Sequence, residues 1–101
     1  MAIIEKQKLL ALYGSEETAK EIILMFVKKS GQLIKEIEHS LDLNDQDMIN
    51  KICHKGIGQS RYIAAPELEK TLQSIQTEAS SRQDHLEHLK TIIQEIEDAY
   101  A

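Results

Sequence analysis

The residues of this chain that could do chemistry centre on His54, within the stretch KICHKGIGQSRYIAAPEL over residues 51–68. Successive side chains of a helix are about 100° apart, so a small set of positions shares a face with His54. None of them is apolar: they are Asp47, Asn50, Lys51, Gly58 and Arg61. His54 is therefore predicted to project from the exposed face of a helix. An imidazole there could attack phosphorus and form a phosphoramidate.

Three cations are candidates for stabilising the oxygens of such a phosphoryl group. Lys51 and Arg61 lie on the face of His54, whereas Lys55 points about 100° away on a stem long enough to reach round. Gly58 would remove side-chain bulk beside the imidazole, so that another surface could approach it. The plainer interpretation remains open: His54 is then a solvated surface residue, and Gly58 reflects tight helix packing.

The remaining histidines and the single cysteine favour structural roles. His85 and His88 are one helical turn apart and could bind a divalent metal if a third ligand arrived, but none is apparent, and no metal site is predicted. His39 is predicted to be a surface residue. Cys53 falls on the inward side of its helix, as Gly56 does, so we expect a buried thiol and close helix packing there.

The apolar residues recur every three or four positions, which predicts five helices and no strand. A short first helix over residues 3 to 12 stops at Gly14. The second begins with Ser15 as its cap and continues to about residue 42, although Gly31 interrupts its pattern.

The third helix carries His54 and is predicted to have Asn44 or Asp45 as its N-terminal cap. It stops near Ala64, because Pro66 disfavours helix at the preceding residue and suits the first turn of the next helix. The fourth helix is predicted to bury Leu68, Leu72, Ile75 and Ala79. After the connection ASSRQD, the fifth carries an apolar stripe of Leu86, Leu89, Ile93, Ile96 and Tyr100.

Length and composition indicate one globular domain over residues 1–101, with 42% hydrophobic and 29% charged residues. Four substantial amphipathic helices joined by short loops predict an all-α protein, an antiparallel four-helix bundle. The short additional N-terminal helix would cover one end.

Several functions are disfavoured by the same properties. A net charge of -5 argues against nucleic-acid binding. No apolar run approaches the roughly 20 residues that cross a bilayer, and no secretion signal is evident, so we expect no membrane contact. The lone cysteine is compatible with a cytoplasmic location. There is no glycine-rich phosphate loop, so we expect no kinase activity in this polypeptide.

The spacing around His54 resembles the histidine phosphotransfer (HPt) domain family of multistep phosphorelays. That family has an active histidine, a lysine three residues later, a glycine at four, small residues near ten and eleven, and a leucine at fourteen. The residues that match this pattern are His54, Gly58, Ala64, Ala65 and Leu68. The order of helices also agrees along essentially the whole chain. The departure is Ile57, which stands where the family has its lysine.

The resemblance implies that His54 accepts a phosphoryl group from a receiver-domain aspartate and passes it to a second receiver. The receiver would supply Mg²⁺, so no cofactor is expected in this chain, and the partners would be receiver domains and a sensor histidine kinase. The domain would be free-standing or part of a hybrid kinase. Arg61, Lys51 and Lys55 would replace the missing lysine. Ile57 and Tyr62 are candidates for a docking patch, with core packing as the competing assignment.

Two other functions remain open. The first is a helical-bundle interaction module that docks receiver or kinase domains but carries no phosphate, an alternative that the replacement of the family lysine keeps open. The second and weaker alternative is a metal-binding bundle that uses His85 and His88.

Overall fold

Every element of this computed structural model, which describes residues 3–100, is helical. The helices are α1 (Lys6–Tyr13), α2 (Glu16–Asp42), α3 (Gln46–Tyr62), α4 (Pro66–Thr77) and α5 (Arg82–Tyr100), and a 3₁₀ turn (Ala79–Ser81) precedes α5. Residues 3–100 contain no strand, so the all-α prediction is confirmed.

The first two helices are separated by a tight turn at Gly14. Gly14 has a φ of 77°, in the left-handed region that favours glycine, and its N–H donates to the carbonyl of Leu10. The side chain of Ser15 then accepts a hydrogen bond from the N–H of Thr18, which caps α2 as predicted. The predicted start of α1 was three residues too early, since α1 begins at Lys6.

Local signals also bound α3, the helix that carries His54. The Asp45 carboxylate accepts a hydrogen bond from the N–H of Met48 at 3.1 Å and caps the start. At the other end Ala64 has a φ of 53°, and its carbonyl accepts a hydrogen bond from the N–H of Glu5. Pro66 follows in the first turn of α4, as the sequence predicts.

The long helix α2 provides the frame on which the other helices pack. It has 27 residues, or about 40 Å at 1.5 Å per residue, close to the 41 Å length of the molecule. It packs against α3 and α5; α4 packs against both of those, and α1 lies on α2. The side chains buried between these helices include Ile23, Ile37, Ile49, Leu68, Leu72, Ile75, Leu86, Leu89 and Ile96.

The structure corrects the predicted burial of Ala79 and shows the effect of Gly31 on α2. Ala79 is exposed, so its predicted burial was wrong: α4 ends at Thr77, and Ala79 lies in the following 3₁₀ turn. Gly31 neither ends α2 nor makes a close contact, because a Cβ added there would meet no atom within 4 Å.

None of the helices described over residues 3–100 is both long and apolar enough to cross a membrane.

Candidate functional site

His54 lies exposed near the middle of α3, at the edge of a shallow depression between α3 and α4. The residues that line this His54 depression are Asn50, Lys51, His54, Gln76 and Thr77. Asn50 and Lys51 lie about one turn before His54 on α3, so these three residues form the α3 wall of the depression. The prediction that His54 projects away from the core is confirmed.

Gly56 allows α4 to approach α3 closely enough to form the other wall of this depression. A Cβ at Gly56 would lie 3.0 Å from Cδ1 of Leu72 and 3.4 Å from Cδ1 of Leu33. Leu72 and Gln76 are one turn apart on the same side of α4, so the close contact at Gly56 also brings Gln76 toward α3. The predicted packing role of Gly56 is confirmed.

Hydrogen bonds join the two walls of the His54 depression. The side-chain amide of Gln76 donates to the carbonyl of Asn50 at 3.2 Å. Gln46 donates from Nε2 to Oδ1 of Asn50 at 2.8 Å and to the carbonyl of Gln76 at 3.2 Å. Gln76 and Thr77 had no signal in the sequence, because their proximity to His54 arises only when α4 packs on α3.

The three candidate cations have different surroundings. Lys51 is exposed in the His54 depression and forms no ion pair among residues 3–100. Arg61 makes two hydrogen bonds to Glu69, from Nε to Oε1 at 3.1 Å and from Nη2 to Oε2 at 3.3 Å. That carboxylate raises the pKa of Arg61. Two turns separate Arg61 from His54, and of the three candidate cations Lys51 is the one that lines the His54 depression.

Lys55 points toward α2 and not toward His54. Its Nζ donates to Oε2 of Glu36 at 2.8 Å, and this hydrogen bond lowers the pKa of the Glu36 carboxyl. Lys55 thus points away from His54, as predicted, and its side chain is held by Glu36 of α2.

Gly58 leaves the surface beside His54 open. It is half-buried, and a Cβ built on it would meet no atom within 4 Å. Unlike Gly56, it makes no tight contact with another helix, so the packing interpretation does not apply to Gly58.

The two residues predicted as a docking patch separate in the structure. Ile57 is only 7% exposed and belongs to the hydrophobic core, so of its two assignments core packing is confirmed and the docking patch is wrong. Tyr62 is 68% exposed and remains available.

Tyr62 lies at one end of a groove between α2 and α3. Two adjoining depressions form this α2/α3 groove, and both include Met25, Lys29 and Gln59. Met25 is 53% exposed, and Lys28 and Gln32 extend the lining along α2. Met25 was missed in the sequence because it lies between inward positions of α2, and its exposure beside α3 depends on how the two helices meet.

The other candidate groups stay apart from His54. Nε2 of His85 lies 3.4 Å from Oε2 of Glu78 and 3.4 Å from Oγ of Ser81. The described part of the chain has no group of three His, Cys, Asp or Glu side chains able to hold a metal ion. Cys53 is buried, and this burial raises the pKa of its thiol to about 11.

Comparison with protein families gives a match that includes this site. The family model described as the Hpt domain matches residues 21–99, which include α3, α4 and nearly all of α2 and α5, while α1 lies outside the match. No curated protein and no solved structure gives a significant match to the chain.

Proposed function

The chain belongs to the Hpt domain family, and from this we propose that it relays a phosphoryl group between receiver-domain aspartates through His54. The observation that carries the proposal is the exposed His54 in a depression that it shares with Lys51, which forms no ion pair among residues 3–100. The family match itself supports histidine phosphotransfer in general. The choice of His54 rests on its place in the family spacing and on this geometry.

The proposed reaction is a displacement at phosphorus. A ring nitrogen of His54 attacks the phosphorus of a receiver's aspartyl phosphate, a P–N bond forms, and the bond to the aspartate oxygen breaks. The carboxylate leaves, and the reverse sequence transfers the group to a second receiver. The receiver supplies Mg²⁺, so this chain needs no cofactor of its own. Its contribution is a positioned nucleophile and a fitting surface.

Lys51 is the cation that we assign to the phosphoryl oxygens. It has no carboxylate partner among residues 3–100 and lines the same depression as His54. Arg61 and Lys55 would first have to leave Glu69 and Glu36, respectively. Lys51→Ala is therefore expected to slow transfer more than Arg61→Ala, and Lys55→Ala is expected to have the smallest effect.

Partner docking is assigned to the α2/α3 groove, which shares helix α3 with His54. Its exposed apolar groups are Met25 and Tyr62, and Lys28 and Lys29 add positive charge at its side. A receiver surface that presents an apolar group flanked by carboxylates would complement it. Gly58 leaves room for that surface to reach the imidazole.

The wider context is also a proposal. We place the domain in the cytoplasm, where its proposed partners, receivers and a sensor kinase, exchange phosphoryl groups. It acts as a phosphocarrier, free-standing or within a hybrid kinase. Its helices α2 to α5 are proposed to form the antiparallel four-helix bundle of the family.

A second candidate function is a module that docks receivers without carrying phosphate. The observation that favours it is Ile57, which is buried where the family has a lysine. A chain that had lost phosphotransfer could keep the α2/α3 groove and its partners while the site around the imidazole changed.

One experiment separates the two functions. The protein is incubated with a phosphorylated receiver, and phosphate that is labile to acid and stable to base is measured on the wild type and on His54→Gln. His88→Gln, at an exposed position on α5, is the matched control. Label on the wild type and control but not on His54→Gln supports transfer. Binding of the receiver with no label on the wild type supports the docking module instead.

A further inference from the structure

Arg82 is the first residue of α5 and does not line the His54 depression, but its side chain makes three hydrogen bonds to α3 and α4 beside it. Its Nε donates to the carbonyl of Ile75 at 2.7 Å, and its Nη2 donates to the carbonyl of Gln76 at 3.0 Å. Nη2 also donates to Oε1 of Gln46 at 2.5 Å. One guanidinium thus joins the start of α5 to the end of α4 and to the first turn of α3.

The two backbone carbonyls that Arg82 binds have no partner within their own helix. Ile75 and Gln76 lie in the last turn of α4, which ends at Thr77, and the last four carbonyls of a helix lack intrahelical donors. Arg82 satisfies two of these carbonyls with a cation at the negative end of the helix dipole, which favours an ordered last turn. That turn carries Gln76 and Thr77, the α4 wall of the His54 depression.

The third contact of Arg82 extends this order to the opposite wall. Gln46 accepts from Arg82 and donates through Nε2 to Oδ1 of Asn50. Gln76 in turn donates to the backbone carbonyl of Asn50. Asn50 therefore accepts hydrogen bonds at both its side-chain oxygen and its backbone carbonyl. Through Gln46, these hydrogen bonds connect Asn50, one turn before His54, to the guanidinium of Arg82.

We propose that Arg82 is a positioning residue for phosphotransfer: it holds the last turn of α4 and the side chain of Gln46 so that Asn50, Gln76 and Thr77 surround the imidazole in one arrangement. This inference rests on the proposed transfer through His54. Arg82 does not touch the reacting atoms in it; it acts through the residues that line the depression.

The test compares Arg82→Gln with Lys90→Gln as a matched control. Lys90 is also a partly exposed cation of α5 and pairs with Glu38 and Glu87, away from the His54 depression. Arg82→Gln is expected to lower the maximal rate of transfer from a phosphorylated receiver on the order of tenfold, because small misplacements of reacting groups are costly. The receiver concentration at half-maximal rate should stay within about twofold, because the proposed α2/α3 groove does not include Arg82.

A second readout separates positioning from a general loss of stability. The NMR signals of the Asn50 and Gln76 side-chain amides and of the His54 ring should shift in Arg82→Gln and stay in place in Lys90→Gln. If Arg82→Gln fails to fold, Gln46→Ala replaces it. This substitution at an exposed position removes the link to Asn50 and one donor to the carbonyl of Gln76, while Arg82 still binds the carbonyls of Ile75 and Gln76. Its expected effect on the maximal rate is about threefold in the same direction.

The outcomes distinguish this inference from the function on which it rests. No label on the wild-type protein would refute transfer itself. Label on the wild type with equal maximal rates in Arg82→Gln and Lys90→Gln, or with unchanged amide and ring signals, would refute the positioning role alone. Loss of rate that appears only as a higher receiver requirement would also refute it, because Arg82 would then act on docking.

Discussion

Adding one methyl group at Gly58 should make the protein more stable and a poorer partner for a receiver. Gly58 has helical geometry, and a Cβ there meets no atom within 4 Å. Glycine inside a helix costs about 1 kcal/mol relative to alanine, so Gly58→Ala should gain close to this amount. For a domain of this size, this corresponds to a rise of about 4 °C in the melting temperature.

The same methyl would stand beside the imidazole, where the partner surface must approach. Overpacking of a well-fitted contact costs about 1–3 kcal/mol. Taking the lower half of that range, affinity for the receiver should fall about fivefold to 25-fold, at about 1.4 kcal/mol per factor of ten. The larger Gly58→Leu should weaken binding further.

Two other glycines provide the controls. Gly31 is also inside a helix with open space around it, so Gly31→Ala should give a similar gain in stability with no effect on the receiver. Gly56→Ala should be about 1 kcal/mol less stable than the wild type, since its Cβ would lie 3.0 Å from a methyl carbon of the fully buried Leu72.

The assays are thermal or urea unfolding followed by circular dichroism, and titration of the receiver by calorimetry. If Gly58→Ala binds the receiver as well as Gly31→Ala does, partners do not approach His54 over Gly58. If Gly58→Ala is destabilising, the space beside it is not open, and the geometric basis of the prediction fails.

Three further predictions concern the burial of Cys53, the ion pair between Glu36 of α2 and Lys55 of α3, and the buried position of Ile57. Because burial raises the pKa of Cys53 to about 11, its thiol should react with a disulfide reagent at pH 8 far more slowly in the native protein than in denaturant; equal rates would contradict this. The hydrogen bond from Lys55 lowers the pKa of Glu36 below its ordinary value of 4.5. The ionised Glu36 therefore stabilises the folded protein above pH 4.5, and this stabilisation is lost as the pH falls through the lower pKa of the folded state. Glu36→Gln should therefore reduce the free energy of unfolding by about 0.5 kcal/mol at pH 7 and by nothing at pH 2, and a difference that does not change with pH would exclude this cause. Ile57→Lys restores the family residue but places an ammonium group at a 7% exposed position, so urea unfolding should show a loss of about 2 kcal/mol, whereas unchanged stability would show that the lysine reaches solvent.

The helix boundaries were largely predictable because their signals are local. Ser15 and Asp45 cap the helices that follow them with their own side chains, Gly14 takes up a positive φ, and Pro66 fits a first turn. Each signal involves residues within about one turn of chain. The start of α1 was misjudged because Ile4 is buried but precedes the helix, so its apolar character extended the helical pattern too far.

Only the part of the candidate site that lies on α3 itself was predictable from the sequence. The exposed side of α3 followed from the 100° spacing of its residues. The surroundings of His54 did not, because they depend on contacts between helices. Ile57 is buried in the core, and the approach of α4 at Gly56 brings Gln76 to the site. Glu36 and Glu69 engage two of the three candidate cations.

The location of these groups gives a physical reason why Ile57 need not exclude phosphotransfer. A lysine three residues after the histidine would lean back over it from the C-terminal side of α3. In this chain that position belongs to the core, and Lys51, which forms no ion pair among residues 3–100, lies one turn before His54 in the same depression. On the proposed function, the phosphoryl group would be held from the side of Lys51, and a partner would reach it over Gly58, where no side chain stands in the way. The cation and the partner would then occupy opposite sides of His54, so a bulky residue at position 58 should interfere with docking while leaving the phosphorylated histidine itself no less stable.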